Sequence, residues 1–432
     1  MRHGAFSLLC VSLLLAFNVT AEPVRRSAYL ESEKSLTSVE VKTYAQETGL
    51  DVEESRLALA REELAAPQIS ALRAEFADRI AGLFWVRLPA QHIVVRLTGS
   101  GHVPPRNIQT EAGIVPVEFV TGAAATADRL GAALSAAGPD LRKLVPELSG
   151  AWVDETTGKI VLDVASPAVS KRAYDAERAA IEKLMGFPVE FRFPPAPQDL
   201  STPPDAPKPA SQPAASTRVL PNVGGGRQLL GGEGQFCTAG FAVKHAITGV
   251  KGVLTAGHCF NTATYTNYPV APAILPTVIV PTEMVMEAWG GIVDFQWHMF
   301  PPGQPVTSAY CVSFTDCSNV VIYGSTPSVG ASVCHMGRTT GKSCGTVTTL
   351  GYEYSGTCTN TDPSTCPTGK WIRVEGPNLA CAGGDSGGPV FNGYSGYGLA
   401  KAAASSGPLA GACDFLIVMP IGRIAPYSLV LL

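Results

Sequence analysis

The placement of cysteine divides this chain into two unlike materials. It has 11 cysteines. Cys10 lies near the N-terminus, the other ten all fall between Cys237 and Cys413, and residues 22–236 have none. An even set confined to one half predicts a unit stapled by disulfides and made in an oxidising compartment. The half before it must fold without staples.

The first residues account for Cys10. Arg2 and His3 precede an apolar run from Phe6 to Phe17, and Val19-Thr20-Ala21 supplies small residues for a cut. This pattern predicts a signal peptide over 1–21 and a secreted product. The run is shorter than the roughly 20 residues a membrane span needs. No later stretch is a candidate span, so no membrane partner is expected. With 32 basic against 36 acidic residues the net charge is -4, which argues against a nucleic-acid partner.

Residues 22–193 read as a small α+β domain. Helical spacing of apolar residues runs through Glu47–Leu88, including 53–60 and Ile69–Trp85. Strands are expected at His92–Leu97, Ile114–Val120 and Val189–Phe193, and a hairpin over Ala151–Val164 turning at Thr157-Gly158. Helices are expected at Thr126–Leu144, interrupted near Gly138-Pro139, and at Ala173–Met185. Residues 194–222 are dominated by Pro, Ala and Ser from Pro194 onward, which predicts an extended, exposed linker open to proteolysis. From 223 to 432 short apolar runs alternate with Gly, Ser, Thr and Pro clusters. That predicts an all-β unit of two packed barrels.

The chemistry sits in that unit. Ser386 lies in Gly383-Gly384-Asp385-Ser386-Gly387-Gly388-Pro389. Flanking glycines allow a sharp turn that exposes the serine oxygen and aims backbone N–H groups at one point. Such N–H groups, here of Gly384 and Ser386, would form an oxyanion hole, which stabilises a tetrahedral acyl intermediate. The alternative is a Gly-rich surface turn that happens to hold a serine. A nucleophilic serine needs a base, and His258 follows the run Leu254-Thr255-Ala256-Gly257, with Cys259 as a tether. His245, His298 and His335 read as ordinary surface histidines. The base needs an orienting carboxylate. Asp294 alone among the intervening aspartates stands in an apolar run, Gly291 to Trp297, where a buried charge demands a partner. The alternative for Asp294 is a structural cap on a turn. No histidine follows Ser386, and no aspartate lies between Val223 and His258. The order His, Asp, Ser therefore excludes the α/β-hydrolase and subtilisin arrangements and matches the chymotrypsin one.

At this point Thr255-Ala256-Gly257-His258-Cys259 and Gly384 to Pro389 resemble the two signature blocks of chymotrypsin-fold serine proteases. Cys334-His335-Met336-Gly337-Arg338-Thr339-Thr340-Gly341 with Cys344-Gly345, and Cys237-Thr238-Ala239-Gly240-Phe241, resemble the bacterial streptogrisin and α-lytic protease branch. The resemblance covers about residues 220–432. It implies two six-stranded antiparallel barrels and a serine endopeptidase acting on peptides or proteins through an acyl-enzyme. It further implies a zymogen whose upstream region assists folding and inhibits the site in cis. Ala151 to Asp154 with Gly158 to Leu162 resembles the hairpin of such a region.

Further roles come from the resemblance alone. Arg338 would pair with Asp385, the alternative being a solvated surface charge. Ser405 would support Asp294. The substrate pocket would be lined by Leu379, Ala380, Ser405, Ser406 and Gly407. It lacks an acid, which speaks against Arg or Lys preference and leaves an apolar pocket as the expectation. The family pattern pairs Cys237 with Cys259, Cys334 with Cys344 and Cys381 with Cys413. Closeness in sequence and elimination then pair Cys311 with Cys317 and Cys358 with Cys366. No metal or cofactor is implied, and nothing requires an oligomer, so a monomer is expected. The competing readings are an inactive protease-like binding protein, which usually lacks a member of the triad, and an esterase with the same triad. Complete reduction with dithiothreitol is expected to destabilise the cysteine-rich unit, each bridge contributing about 2–5 kcal/mol. Thermal unfolding that is unchanged by reduction would count against the bridges.

Overall fold

Short strands alternating with glycine and polar turns close into two barrels downstream of Val223. The structure is a computed structural model describing residues 25–31, 38–165, 174–200, 223–232, 234–267, 279–354, 370–407 and 410–432. In the first barrel Gln228–Gly231 pairs with Phe236–Thr238 on one side and Ala263–Thr266 on the other. Ala263–Thr266 pairs with Ile279–Pro281, and the chain continues past Pro281 as Glu283–Gly290, which pairs with Val293–Met299. Val293–Met299 pairs with Lys251–Thr255, which pairs with Ala242–His245, the continuation of Phe236–Thr238. Counting each bent strand once, the ring closes on six antiparallel strands. Leu229, Val253, Tyr265 and Val280 fill it.

The second barrel runs Ser332–Gly337, Pro389–Asn392, Ser395–Ala404, Phe415–Pro420, Lys370–Glu375 and Gly341–Tyr354, and closes where the last pairs with the first. Val333, Val347, Ile372, Leu416 and Val418 pack inside. The expected all-β architecture of two six-stranded barrels is therefore present. Among the described residues four bridges staple it: Cys237–Cys259, Cys311–Cys317, Cys334–Cys344 and Cys381–Cys413. The expected pair Cys358–Cys366 lies outside the described residues.

The upstream half is α+β. Helices Val39–Thr48, Val52–Leu64 and Ala66–Glu75 precede a sheet of Ile80–Val86, His92–Thr98, Gly113–Ala123 and Arg106–Thr110, in that order across the sheet. Asp51 caps the second helix, accepting from Glu54 N at 2.8 Å. Two sequence expectations fail here. Ile69–Trp85 is not one helix, because the helix stops at Glu75 and Ile80–Val86 is a strand. Gly82 lies against the Glu155 carbonyl, where an added Cβ would meet Glu155 O at 2.1 Å. Ala127–Leu144 passes through Gly138-Pro139 without interruption, because Leu130, Leu134 and Leu141 bury on one face on both sides of the proline. The strand Arg106–Thr110 had no sequence expectation.

The two halves share a sheet. Hairpin Leu148–Asp154 and Lys159–Val164, with Val189–Arg192, extends the second barrel through Gly150 opposite Tyr354 and Ala151 opposite Glu353. Gly150 is required, since a Cβ there would overlap the Tyr352 hydroxyl at 2.1 Å. Asp163 anchors the joint, accepting from Arg373 at 2.9 Å and Tyr352 Oη at 3.0 Å. Helix Val52–Leu64 supplies two more buried acceptors: Glu62 takes Ser332 N at 2.7 Å and Glu63 takes Tyr394 N at 2.6 Å. Burial, partly offset by Arg87 for Glu62 and by the Tyr394 N–H for Glu63, pushes both carboxyls up to about 7. Burial, partly offset by Arg373, pushes Asp163 up to about 6.

Carboxyls raised on docking bind protons more tightly in the docked state. Their contribution is complete below the ordinary carboxylate range, about pH 4, and is lost as pH rises toward about 7. Hydrogen exchange in helix Val52–Leu64 is therefore expected to speed up between pH 5 and pH 8 beyond its intrinsic pH dependence. The Glu62→Gln, Glu63→Gln double variant should flatten that excess. An excess that persists undiminished in the double variant would exclude these carboxyls as its source.

Candidate active site

His258 follows strand Lys251–Thr255 in a tight turn held by Cys259 N bonding Ala256 O at 3.2 Å and by the Cys237–Cys259 bridge. Its backbone N–H donates to Asp294 Oδ1 at 2.9 Å, and its Nδ1 lies 2.8 Å from Asp294 Oδ2. This double contact orients the ring. Gly257 makes it possible, because a Cβ there would sit 2.9 Å from Asp294 Oδ1. On the far side His258 Nε2 is 2.7 Å from Ser386 Oγ. Asp294 stands on Val293–Met299 and is 1% exposed, as its apolar run predicts.

Ser386 belongs to the second barrel but is tied to the first. Thr238 N donates to Ser386 O at 2.8 Å and Thr238 Oγ1 to Gly384 O at 2.7 Å. Gly387, at φ +81°, leaves no room for a side chain, since a Cβ would meet Thr255 Oγ1 at 2.2 Å. The Asp385 carboxylate bonds Thr339 N, Thr340 N, Thr340 Oγ1 and Ala382 N at 2.7–3.2 Å. Among the described residues none of its partners is Arg338, so the expected Arg338–Asp385 ion pair is absent. The Arg338 guanidinium instead lies 3.7 Å over the Phe236 ring and donates to Gln228 at 3.0 Å. Four donors already satisfy Asp385, which removes the need for a cation there.

The carboxylate of Asp294 has a second cation. Lys401 Nζ donates to Asp294 Oδ2 at 2.8 Å, and Lys401 is 2% exposed. Ser405, expected in this role, bonds Ala412 O at the surface. Lys401 was legible in principle, as the lone charge in Gly398-Leu399-Ala400-Lys401-Ala402-Ala403-Ala404. Burial alone would raise the Asp294 carboxyl, but His258 and Lys401 outweigh it and hold the group well below the usual range. Burial opposes the Lys401 charge in turn, and Asp294 and Asp199 more than offset it.

The cleft is occupied by the chain's own residues Gln198–Leu200. Gln198–Asp199 adds antiparallel to strand Ser395–Ala404, with Asp199 opposite Ala402 and Gln198 opposite Ala403. Leu200 N donates to Lys401 O at 3.0 Å, and Leu200 O accepts from Gly384 N at 2.8 Å. Leu200 is wholly buried, in a cluster with Leu379, Cys381, Ala400, Ala403 and Cys413. Residues 194–200 of the expected linker are extended, with Ala196 and Gln198 exposed and Leu200 captured by a sheet edge and an apolar pocket, while residues 201–222 lie outside the described residues. Leu379 lies in that pocket. Ser406 and Gly407 are exposed and Ser405 is half-buried, outside the cluster around Leu200, so Ala400 and Ala403 form the wall instead. The Ala380 carbonyl is turned to His335 Nε2 and Ser343 Oγ.

Two histidines read as surface groups are buried. His298 bonds Gln296 Oε1 at 2.9 Å, and Gln296 Nε2 holds the carbonyls of Gly257 and Cys259 beside His258. Burial lowers His298 to about 4. His335 is 1% exposed. Both lie on strands buried at consecutive positions, which leaves neither side chain a solvent-facing side. Among the described residues no group of His, Cys, Asp and Glu could hold a metal, and no helix is long and apolar enough to cross a membrane.

No family model matches the chain. It is similar to streptogrisin-C of Streptomyces griseus, 26% identical over 413 residues, covering 93% of this chain and 77% of that protein. The chain is a serine protease of the chymotrypsin fold. Solved structures similar to this protease include Thermobifida fusca protease A, 22% identical with a TM-score of 0.37, covering 49% of this chain and 98% of that one. Cellulomonas bogoriensis chymotrypsin is 24% identical with a TM-score of 0.36 and the same coverages.

Gly384 gives the protease a sensitive point. It sits at φ +95°, and a Cβ would meet the Phe236 ring at 2.4 Å and Thr339 Oγ1 at 2.7 Å. Gly384→Ala is expected to displace its N–H and lower kcat about 10²–10³-fold, with the far-ultraviolet circular dichroism retained. Wild-type turnover in that variant would remove this N–H from the reaction.

Proposed function

We propose that the chain is the secreted precursor of an endopeptidase that works through an acyl-enzyme on Ser386. The observation that carries this reading is the pose of Leu200 at the end of the hydrogen-bonded line from Asp294 through His258 to Ser386. Its carbonyl oxygen meets the Gly384 N–H, its amide meets Lys401 O, and its side chain fills an apolar pocket. A scissile residue needs each of these contacts.

In the reaction His258 Nε2 takes the Ser386 proton as Oγ attacks the substrate carbonyl. Negative charge builds on the carbonyl oxygen, where the N–H groups of Gly384 and Ser386 stabilise it. Asp294 holds the ring and balances the imidazolium. The imidazolium then gives its proton to the leaving amine, the C–N bond breaks, and the acyl group stays on Oγ. Water repeats the cycle: His258 takes its proton, the hydroxide attacks, and Oγ leaves with that proton.

The apolar surroundings of Leu200 favour substrates with a medium-sized apolar residue at the cut. Residues 22–200 are then a pro-region that occupies its own enzyme's cleft, and the bond after Leu200 is the maturation cut. This moves the cut upstream of the 223 boundary that composition suggests. The four bridges and the N-terminal apolar run support export through an oxidising compartment.

Ser386→Ala is expected to lower kcat by about 10⁶-fold, abolish fluorophosphonate labelling and leave the bond after Leu200 intact. Mass spectrometry of the product in a protease-free host checks all three. A normally processed Ser386→Ala chain would assign the cut to another enzyme, and an unlabelled wild-type chain would refute the catalytic reading.

A further inference from the structure

Lys401 has a contact that orienting Asp294 does not require. Its Nζ lies 3.1 Å from Asp199 Oδ1 as well as 2.8 Å from Asp294 Oδ2. The Lys401 side chain is 3% exposed and that of Asp199 11%. The rings of Trp371 and Tyr354 stand 5.3 and 5.9 Å from Nζ and keep water from the pair. Tyr354 Oη adds a contact to Asp199 Oδ1 at 3.4 Å. Asp199 immediately precedes the residue whose carbonyl meets Gly384 N.

We propose that Lys401 is a specificity-determining residue that selects substrates with an acidic side chain immediately upstream of the apolar residue at the cut. The inference rests on the protease reading above and deepens it. The physical ground is charge balance in a dry site. Before reaction Lys401 and Asp294 neutralise each other. When His258 takes the serine proton, two cations share one carboxylate, because His258 Nδ1 and Lys401 Nζ both meet Asp294 Oδ2. An acidic side chain on Lys401 restores neutrality at that moment, and a neutral or basic one does not. Low dielectric makes the difference large. The selection therefore acts on the step that protonates His258, and so on kcat more than on KM. An amide in place of the carboxylate keeps the shape and loses the charge, which makes Asp against Asn the discriminating comparison.

Hydrogen exchange at the Leu200 amide in the full-length Ser386→Ala chain reads the contact without turnover. Asp199→Asn and Lys401→Met are each expected to raise that exchange about tenfold, with the double variant no faster than either single one. Independent, additive effects, or none, would overturn the inference. The processed wild-type enzyme is then given peptides with Gln-Asp-Leu, Gln-Asn-Leu or Gln-Lys-Leu before the scissile bond. Cleavage should favour the aspartate by about tenfold or more in kcat, with lysine worst, and Lys401→Met should erase the ranking. Equal turnover of the three peptides overturns the inference alone. Failure to cleave any of them, in a chain whose Ser386 also takes no fluorophosphonate, overturns the protease reading beneath it.

Discussion

One buried carboxylate organises the site. Asp294 is almost sealed from water, and a charge so placed costs several kcal/mol unless donors surround it. Its donors come from separate places in the chain: the His258 backbone and ring from the turn after Lys251–Thr255, and Lys401 from the second barrel. Satisfying Asp294 therefore fixes the His258 ring and draws the two barrels together. Ser386 reaches that ring on a loop which Thr238 ties back to the first barrel. The constellation exists only where both barrels are folded and packed.

The N-terminal half meets the barrels by the rules that build sheets. The strand Gly341–Tyr354 extends beyond the barrel and offers an edge, and Leu148–Asp154 covers it. Strand Ser395–Ala404 offers a second edge in the cleft, and Gln198–Asp199 covers that. Backbone pairing alone carries little selectivity. Asp163 under Arg373, Glu62 on Ser332 N and Glu63 on Tyr394 N supply it, since each is buried and would be left unmatched by another register.

The sequence was most legible where one residue type has a single use. Ser386 between glycines, His258 before a cysteine and Asp294 in an apolar run could each be placed, because a polar group among apolar or glycine neighbours has few other roles to fill. Chain order then selected the fold. The reading failed where a position's environment is set by distant chain. Ser405 is no different in type from the serine the resemblance called for, and only the path of strand Ser395–Ala404 puts Lys401 beneath Asp294 instead. Arg338 carries its expected charge, yet four nearer donors on Asp385 leave it to Phe236 and Gln228. His298 and His335 are polar letters on strands buried at consecutive positions. Pro194–Leu200 has the composition of a linker, and nothing local reveals that a pocket waits for Leu200.

On the proposed reading, cutting the chain after Leu200 does not by itself open the enzyme. The cut adds one carboxylate at Leu200 and leaves its side chain in the pocket, Asp199 on Lys401 and Gln198 on the strand. The hairpin pairing at Gly150 and Ala151 is also untouched. Release must undo these contacts together, and they differ in how they respond to solution conditions. Strand pairing and apolar burial change little with pH. The buried carboxyls of Glu62, Glu63 and Asp163 do not behave this way, because each gains stability from a proton that neutral solution removes. Asp199 meets Lys401 as an ion pair at 3.1 Å instead. The pro-region is thus held in the cleft by an ionised contact and on the barrel by contacts that ionisation weakens. A rise in pH loosens the docking surface while the tail stays bound, so the body of the pro-region leaves before its last residues do.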